Sequence, residues 1–160
     1  MEKGGYSMED AAYMAEALAL ARAAAEDGEV PVGAVIVWDD GRIVGRGRNR
    51  REKGKNALYH AEIEAIDEAC KALGGWRLHK ATIYVTMEPC PMCAGALMGA
   101  RVKRIVYGTR DENAGALGTI CDLSTLPRGH RPEVVPECCG EESRALLADF
   151  FKRLRRTGNE

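Results

Sequence analysis

The chain has 160 residues, 46% of them hydrophobic and 29% charged, with a formal net charge of −1. That composition describes one globular domain, taken as residues 1–160, with enough apolar residues for a real core and no global attraction to nucleic acid. No apolar run approaches the roughly 20 residues needed to span a bilayer, and Met1 to Asp10 carries acids where a secretory signal would be apolar.

Met8 to Asp27 is predicted to be a helix, with Met14, Leu18, Leu20 and Ala24 spaced for a buried stripe and Gly28 as its stop. Val30 to Trp38 is a continuous apolar run that reads as a buried strand. Asp39-Asp40-Gly41 is a hairpin signal, with Arg42 to Gly47 as the partner strand. A basic loop follows to Leu58. His60 opens a helix to about Leu73, with Ile63, Ile66 and Ala69 on one face and Gly74-Gly75 as its stop. Ala81 to Thr86 is a strand that delivers Glu88 and a cysteine motif at its carboxyl end, followed by a helix to about Ala100. Lys103 to Tyr107 reads as a strand, Asp111 to Thr119 as an irregular glycine-rich loop, and Val134-Val135 as a short last strand. Glu141 to Arg156 closes the chain as an amphipathic helix, with Leu146, Leu147, Phe150 and Phe151 inward or toward a partner. The order is α-β-β-α-β-α-β-β-α, without repeats or a convincing linker, and the helices that follow the strands start where α/β folds place their sites.

Two short segments carry chemistry: His60-Ala61-Glu62 and Pro89-Cys90-Pro91-Met92-Cys93. Imidazole and thiolate are zinc ligands, and a glutamate two residues from the histidine is not needed to hold the metal. Pro91 suits the first turn of a helix, whose positive end favours the thiolate form of Cys90 and Cys93. Three ligands and a spare carboxylate describe a catalytic zinc with one open position, in which the metal makes a water nucleophilic and Glu62 moves its protons. The pattern H-x-E with P-C-x-x-C is the signature of the zinc nucleobase deaminases. The plainer alternatives are a structural zinc, whose fourth ligand would come from Cys70, Cys121, Cys138, Cys139, His79 or His130, two ordinary buried cysteines, or a Glu62 paired with a lysine on a helix face.

Placing two of six cysteines in one motif is typical of a reducing cytosol, so the expected location is cytoplasmic and the adjacent Cys138 and Cys139 read as free thiols. Arg42, Arg46, Arg48, Arg50, Arg51, Lys53 and Lys55 crowd one stretch, and Lys152, Arg153, Arg155 and Arg156 follow Phe150 and Phe151. Basic clusters beside aromatics can meet phosphate and unstacked bases; a merely solvated face is the other reading.

Several segments, from Met8 to Arg156, are similar to a known family: Glu29-Val30-Pro31-Val32-Gly33-Ala34-Val35, Gly47-Arg48-Asn49-Arg50, His60-Ala61-Glu62, the run Tyr84 to Ala96, Tyr107-Gly108-Thr109-Arg110-Asp111 and Asp149-Phe150-Phe151-Lys152. They resemble the cytidine-deaminase-like proteins and, within them, the bacterial tRNA-specific adenosine deaminases. The resemblance implies a three-layer α/β/α fold on a mixed five-stranded sheet, and one Zn2+ per subunit held by His60, Cys90 and Cys93. It implies proton transfer by Glu62, a base pocket lined by Val30, Asn49, Ala61 and Tyr59, and contact of Asp111 with the anticodon backbone. Phe151, Lys152 and Arg155 would lie near the RNA. The implied partners are a tRNA anticodon loop and a second copy of the chain, with the zinc helices near the shared interface. Leu58-Tyr59, where the family has small residues, and Pro136-Glu137-Cys138-Cys139 depart from the pattern. The expected reaction is deamination of adenosine to inosine at the wobble position. The alternatives are deamination of a free base or nucleoside such as guanine or cytosine, and a zinc-stabilised RNA-binding scaffold without catalysis.

Overall fold

Ser7 starts the first helix. Its hydroxyl accepts the Asp10 amide N–H while the Asp10 carboxylate accepts the Ser7 N–H, a reciprocal cap on α1 (Met8–Glu26). Gly28, at φ +81°, then turns the chain in a left-handed conformation open to glycine. The structure is a computed structural model and describes residues 5–127 and 129–158; residues 1–4 of the acidic N-terminal stretch lie outside the described residues.

Strand β1 (Gly33–Val37) starts later than the apolar run that begins at Val30, since Pro31 has no N–H for a ladder. The turn at Asp39-Asp40-Gly41 returns the chain as β2 (Ile43–Arg48). Then come α2 (Ala61–Leu73), β3 (Thr82–Met87), α3 (Pro91–Gly99), β4 (Arg104–Thr109), β5 (Glu133–Val135) and α4 (Gly140–Arg156). The five strands make one sheet in the order β2-β1-β3-β4-β5. β1 is antiparallel to β2 and β3, whereas β4 is parallel to β3 and β5, so the sheet is mixed.

Side chains alternate across it. Ala34, Ile36, Ile83, Val85, Ile105 and Tyr107 face the layer that includes Ala65 of α2 and Leu97 of α3. Val35, Val37, Tyr84 and Val106 face Met14 and Leu18 of α1 and Leu146 of α4. Helices therefore cover both faces, which is the three-layer cytidine deaminase-like α/β fold.

One expectation is corrected at α2. Its buried stripe is Ala61, Glu62, Ala65 and Ala69, with Ile63 and Ile66 only half-buried. The reason lies in β2: a Cβ on Gly45 would stand 2.2 Å from the Ala65 carbonyl oxygen, and one on Gly47 would stand 2.1 Å from that of Ala61. Helix and strand touch backbone to backbone, and only small residues fit between them. Among the described residues no helix is long and apolar enough to cross a membrane.

Candidate active site

Two helix beginnings meet at the carboxyl ends of the central strands. His60 is the N-cap of α2 and Cys90 the N-cap of α3; neither side chain caps its own helix, so both are free to turn toward each other. His60 Nδ1 lies 3.7 Å from the Cys90 sulfur and 3.5 Å from that of Cys93. One ligand atom from each of the three residues lies within 4.8 Å of the others. Imidazole nitrogen and two thiols are a zinc donor set, and the residues fit that metal. Among the described residues no fourth histidine, cysteine or acid joins the group, so the structural-zinc alternatives at Cys70, Cys121, Cys138, Cys139, His79 and His130 gain no support.

The three donors share protons among themselves. The hydrogen bond from Cys93 pushes the Cys90 thiol down to about 4, with His60 helping, while Cys93 keeps its proton above the usual thiol range because Cys90 shares it. Hydrogen bonding to Cys90 likewise raises His60. Glu62 is 4% exposed and, among the described residues, forms no ion pair with a lysine, which speaks against the helix-face reading. Burial pushes its carboxyl up to about 7. A carboxyl held near neutrality can both take and give a proton at physiological pH.

These groups open into a cavity of about 610 Å³. Val30, Asn49, Ala61, Asp111 and Phe151 line it, together with His60, Glu62 and Cys90. Asn49 donates from Nδ2 to the Val30 carbonyl at 3.2 Å and accepts the Arg51 N–H, so its amide is fixed at the rim. Asp111 turns its own loop by accepting the Asn113 and Ala114 N–H groups. Tyr59 lies outside the cavity lining, its ring packed over Gly54 and under the Arg50 guanidinium, 5.3 Å from the ring centre. Lys152 and Arg155 are exposed on α4 and also lie outside the lining. The basic loop is partly neutralised: Arg48 and Lys53 reach Asp27, and Arg50 reaches Glu64.

Two buried carboxylates missed in the sequence hold the cavity walls. Glu29 accepts the Glu52 and Lys53 N–H groups at 3.0 and 2.7 Å, tethering the basic loop. Glu88 accepts the N–H groups of Asp111, Leu117 and Thr119 at 3.2, 3.0 and 3.2 Å, plus the Thr119 hydroxyl. The available signal was an acid embedded in an apolar stretch, which is expensive unless its oxygens find donors.

Comparison with known proteins agrees with this geometry. The chain matches the MafB19-like deaminase family over residues 8–155. It is 48% identical over 149 residues to the tRNA-specific adenosine deaminase of Bacillus subtilis, covering 92% of each chain. A solved structure from studies of A-to-I editing by tRNA deaminases at the wobble position superposes with a TM-score of 0.81 at 42% identity, covering 85% of this chain and 99% of that one. Guanine deaminase from Bacillus subtilis superposes with a TM-score of 0.61 at 34% identity, covering 79% of each. With His60, Cys90, Cys93 and the buried Glu62 all inside the matched segment, the chain belongs to the MafB19-like deaminase family and is similar over nearly its whole length to a tRNA-specific adenosine deaminase.

Proposed function

We infer that this chain deaminates adenosine to inosine by hydrolysis at the wobble position of a tRNA anticodon. The carrying observation is the convergence of His60, Cys90 and Cys93 beside a buried Glu62 in a chain so similar to tRNA-specific adenosine deaminases. A zinc ion, one per subunit, fits the three donors and supplies the Lewis acidity that makes water nucleophilic at neutral pH.

The chain's own residues do the rest. The cavity takes a base extruded from a single-stranded loop, which is how enzymes of this chemistry reach their atom. Val30 and Ala61 contact its faces, and Asn49 holds its edge. Glu62 accepts one proton of the attacking water and delivers it to the ring nitrogen next to carbon 6; it then takes the second proton from the hydroxyl now on carbon 6 and passes it to the amino group, which leaves as ammonia while the oxygen stays as the ring carbonyl. Asp111 and Phe151, at the mouth, meet the neighbouring nucleotides, and Lys152 and Arg155 extend that contact along α4.

A second copy of the chain completes the particle. α3 carries no charged side chain, a Cβ added at its half-buried Gly95 or Gly99 would meet nothing within 4 Å, and, elsewhere in the chain, Leu58 and Ile120 are exposed. An apolar surface of this kind is a site for self-association; sedimentation should give twice the 17.4 kDa chain mass, and a monomer would rule it out. The six free cysteines suit a cytoplasmic protein.

The similarity to guanine deaminase makes a free base the competing substrate. Zinc-replete protein incubated separately with an anticodon stem-loop carrying a wobble adenosine, with guanine and with cytosine decides between them. Inosine and ammonia should come from the stem-loop alone; release from a free base and not from RNA overturns the reading.

A further inference from the structure

The wall of the cavity on the β4–α4 side carries a charge cluster. Arg110, just after β4, places Nε 3.5 Å from one oxygen of Glu137, and Arg144, on α4, places Nη1 3.0 Å from the other. Arg144 also reaches the Thr109 hydroxyl at 3.4 Å, and Arg110 donates to the Tyr107 hydroxyl at 3.2 Å. The backbone is bent to make this arrangement. Glu137 and Cys139 adopt left-handed φ values of 63° and 55°, which side chains rarely take. Gly140 supplies the missing volume: a Cβ there would stand 2.3 Å from the Glu137 carboxylate. Strain of this kind persists where the surrounding structure enforces it, often at ligand clamps.

Two guanidinium groups and one carboxylate leave one positive charge uncompensated. All three side chains are between 37% and 52% exposed, and ion pairs this wet are weak enough to exchange. Arginine forks match phosphate oxygens in two-point geometry. Phe151 lines the same cavity and is 41% exposed, and an aromatic ring beside arginines suits unstacked nucleotides.

We propose that Arg110 and Arg144 clamp one phosphodiester of the substrate RNA next to the flipped nucleotide, with Glu137 holding the two guanidinium groups in place until RNA displaces it. The clamp rests on the RNA deamination proposed above and adds its backbone subsite. An ordinary structural ion-pair cluster predicts that losing any member loosens the wall in the same direction. A clamp predicts opposite signs: removing an arginine removes attraction, and removing Glu137 removes the competitor.

The test uses zinc-loaded protein carrying Glu62→Ala, so that RNA is bound and not consumed, and an anticodon stem-loop titrated at several salt concentrations. Arg110→Ala and Arg144→Ala should each raise Kd about tenfold and lower the salt slope by about 0.7, the value for one single-strand phosphate contact. Glu137→Gln should lower Kd severalfold and steepen the slope. A neutral methylphosphonate at the clamped linkage, found by moving it through those flanking the wobble nucleotide, should abolish the effect of the arginine substitutions. Variants are accepted for comparison when zinc content and Tm match the parent, and Arg144→Lys should recover part of the lost affinity.

Arginine variants that bind as the parent does, a Glu137→Gln variant that weakens binding, or arginine effects that persist with every linkage neutralised would overturn the clamp alone. If protein with Glu62 intact fails to deaminate the stem-loop, the proposed activity falls and the clamp falls with it.

Discussion

The guanidinium of Arg104 in β4 donates two hydrogen bonds, at 2.6 and 2.8 Å, to the carboxylate of Asp10 in α1, across 94 residues of chain. Tyr84 of β3 adds a third at 2.8 Å. Burial pushes the Asp10 carboxyl up, but Arg104, the Ser7 N–H and Tyr84 together outweigh it and hold it well below the usual carboxylate range. A depressed folded pKa adds stability that is complete above the unfolded value of 3.8 and is lost as pH falls toward the folded value. Asp10→Asn should therefore cost about 3 kcal/mol at pH 7, and the gap from the parent in urea denaturation should narrow below pH 4. A gap independent of pH would show that the ion pair is not its source.

Glu62→Gln removes the proton carrier and leaves the metal ligands in place. Deamination should fall by about a thousandfold, with zinc per chain unchanged when measured by atomic absorption. Substantial residual turnover would assign the proton transfers to another group.

Stripping the metal with a chelator should abolish turnover and lower Tm. A ligand present at a thousand times its Kd stabilises the native state by about 4 kcal/mol, which for a chain of this size is roughly 10 °C. Scanning calorimetry before and after chelation, and again after zinc is returned, checks both halves. A protein indifferent to chelation would leave His60, Cys90 and Cys93 as an ordinary polar cluster.

Glu88→Gln keeps volume and changes only the capacity to accept. All four of its partners are donors, and the amide would point an NH2 at N–H groups. The loop from Asp111 to Thr119 should loosen at a cost of about 2 kcal/mol. Faster hydrogen exchange at the Leu117 and Thr119 amides, with β1 amides unaffected, is the expected pattern; unchanged exchange would mean the loop holds itself.

Gly47→Ala brings a methyl group against the Ala61 carbonyl oxygen. Overpacking of this kind costs about 1–3 kcal/mol, and relief by sliding α2 carries His60 away from the cysteines. Zinc affinity in a chelator competition should fall along with stability. Stability lost without any change in zinc affinity would show that α2 yields elsewhere.

Much of this molecule is readable from its residues. His60, Cys90 and Cys93 are spaced in the sequence so that the fold brings them together, and the order of elements follows from where the apolar period changes from two to about four. What escaped is tertiary. The inner face of α2 reads as Ile63, Ile66 and Ala69, of which only Ala69 is buried, until the side-chain-free surface of Gly45 and Gly47 opposite it is known. Tyr59 next to the histidine reads as a pocket wall, yet the gap left by Gly54 draws its ring the other way. The basic run from Arg42 to Lys55 reads as an RNA surface, and Asp27 and Glu64, distant in sequence, cancel part of it. The roles of Glu29 and Glu88 depend on loops that fold back to offer their buried carboxylates N–H donors.

The three ligand side chains come from two helices docked on different strands, α2 over the β2 edge and α3 after the central β3. A bound ion is thus a clasp between the rim and the middle of the sheet, and the rim is where fraying begins. Starved of metal, the β2–α2 unit should be the first part a protease can enter, so the supply of zinc would govern how long the protein survives as well as whether it works.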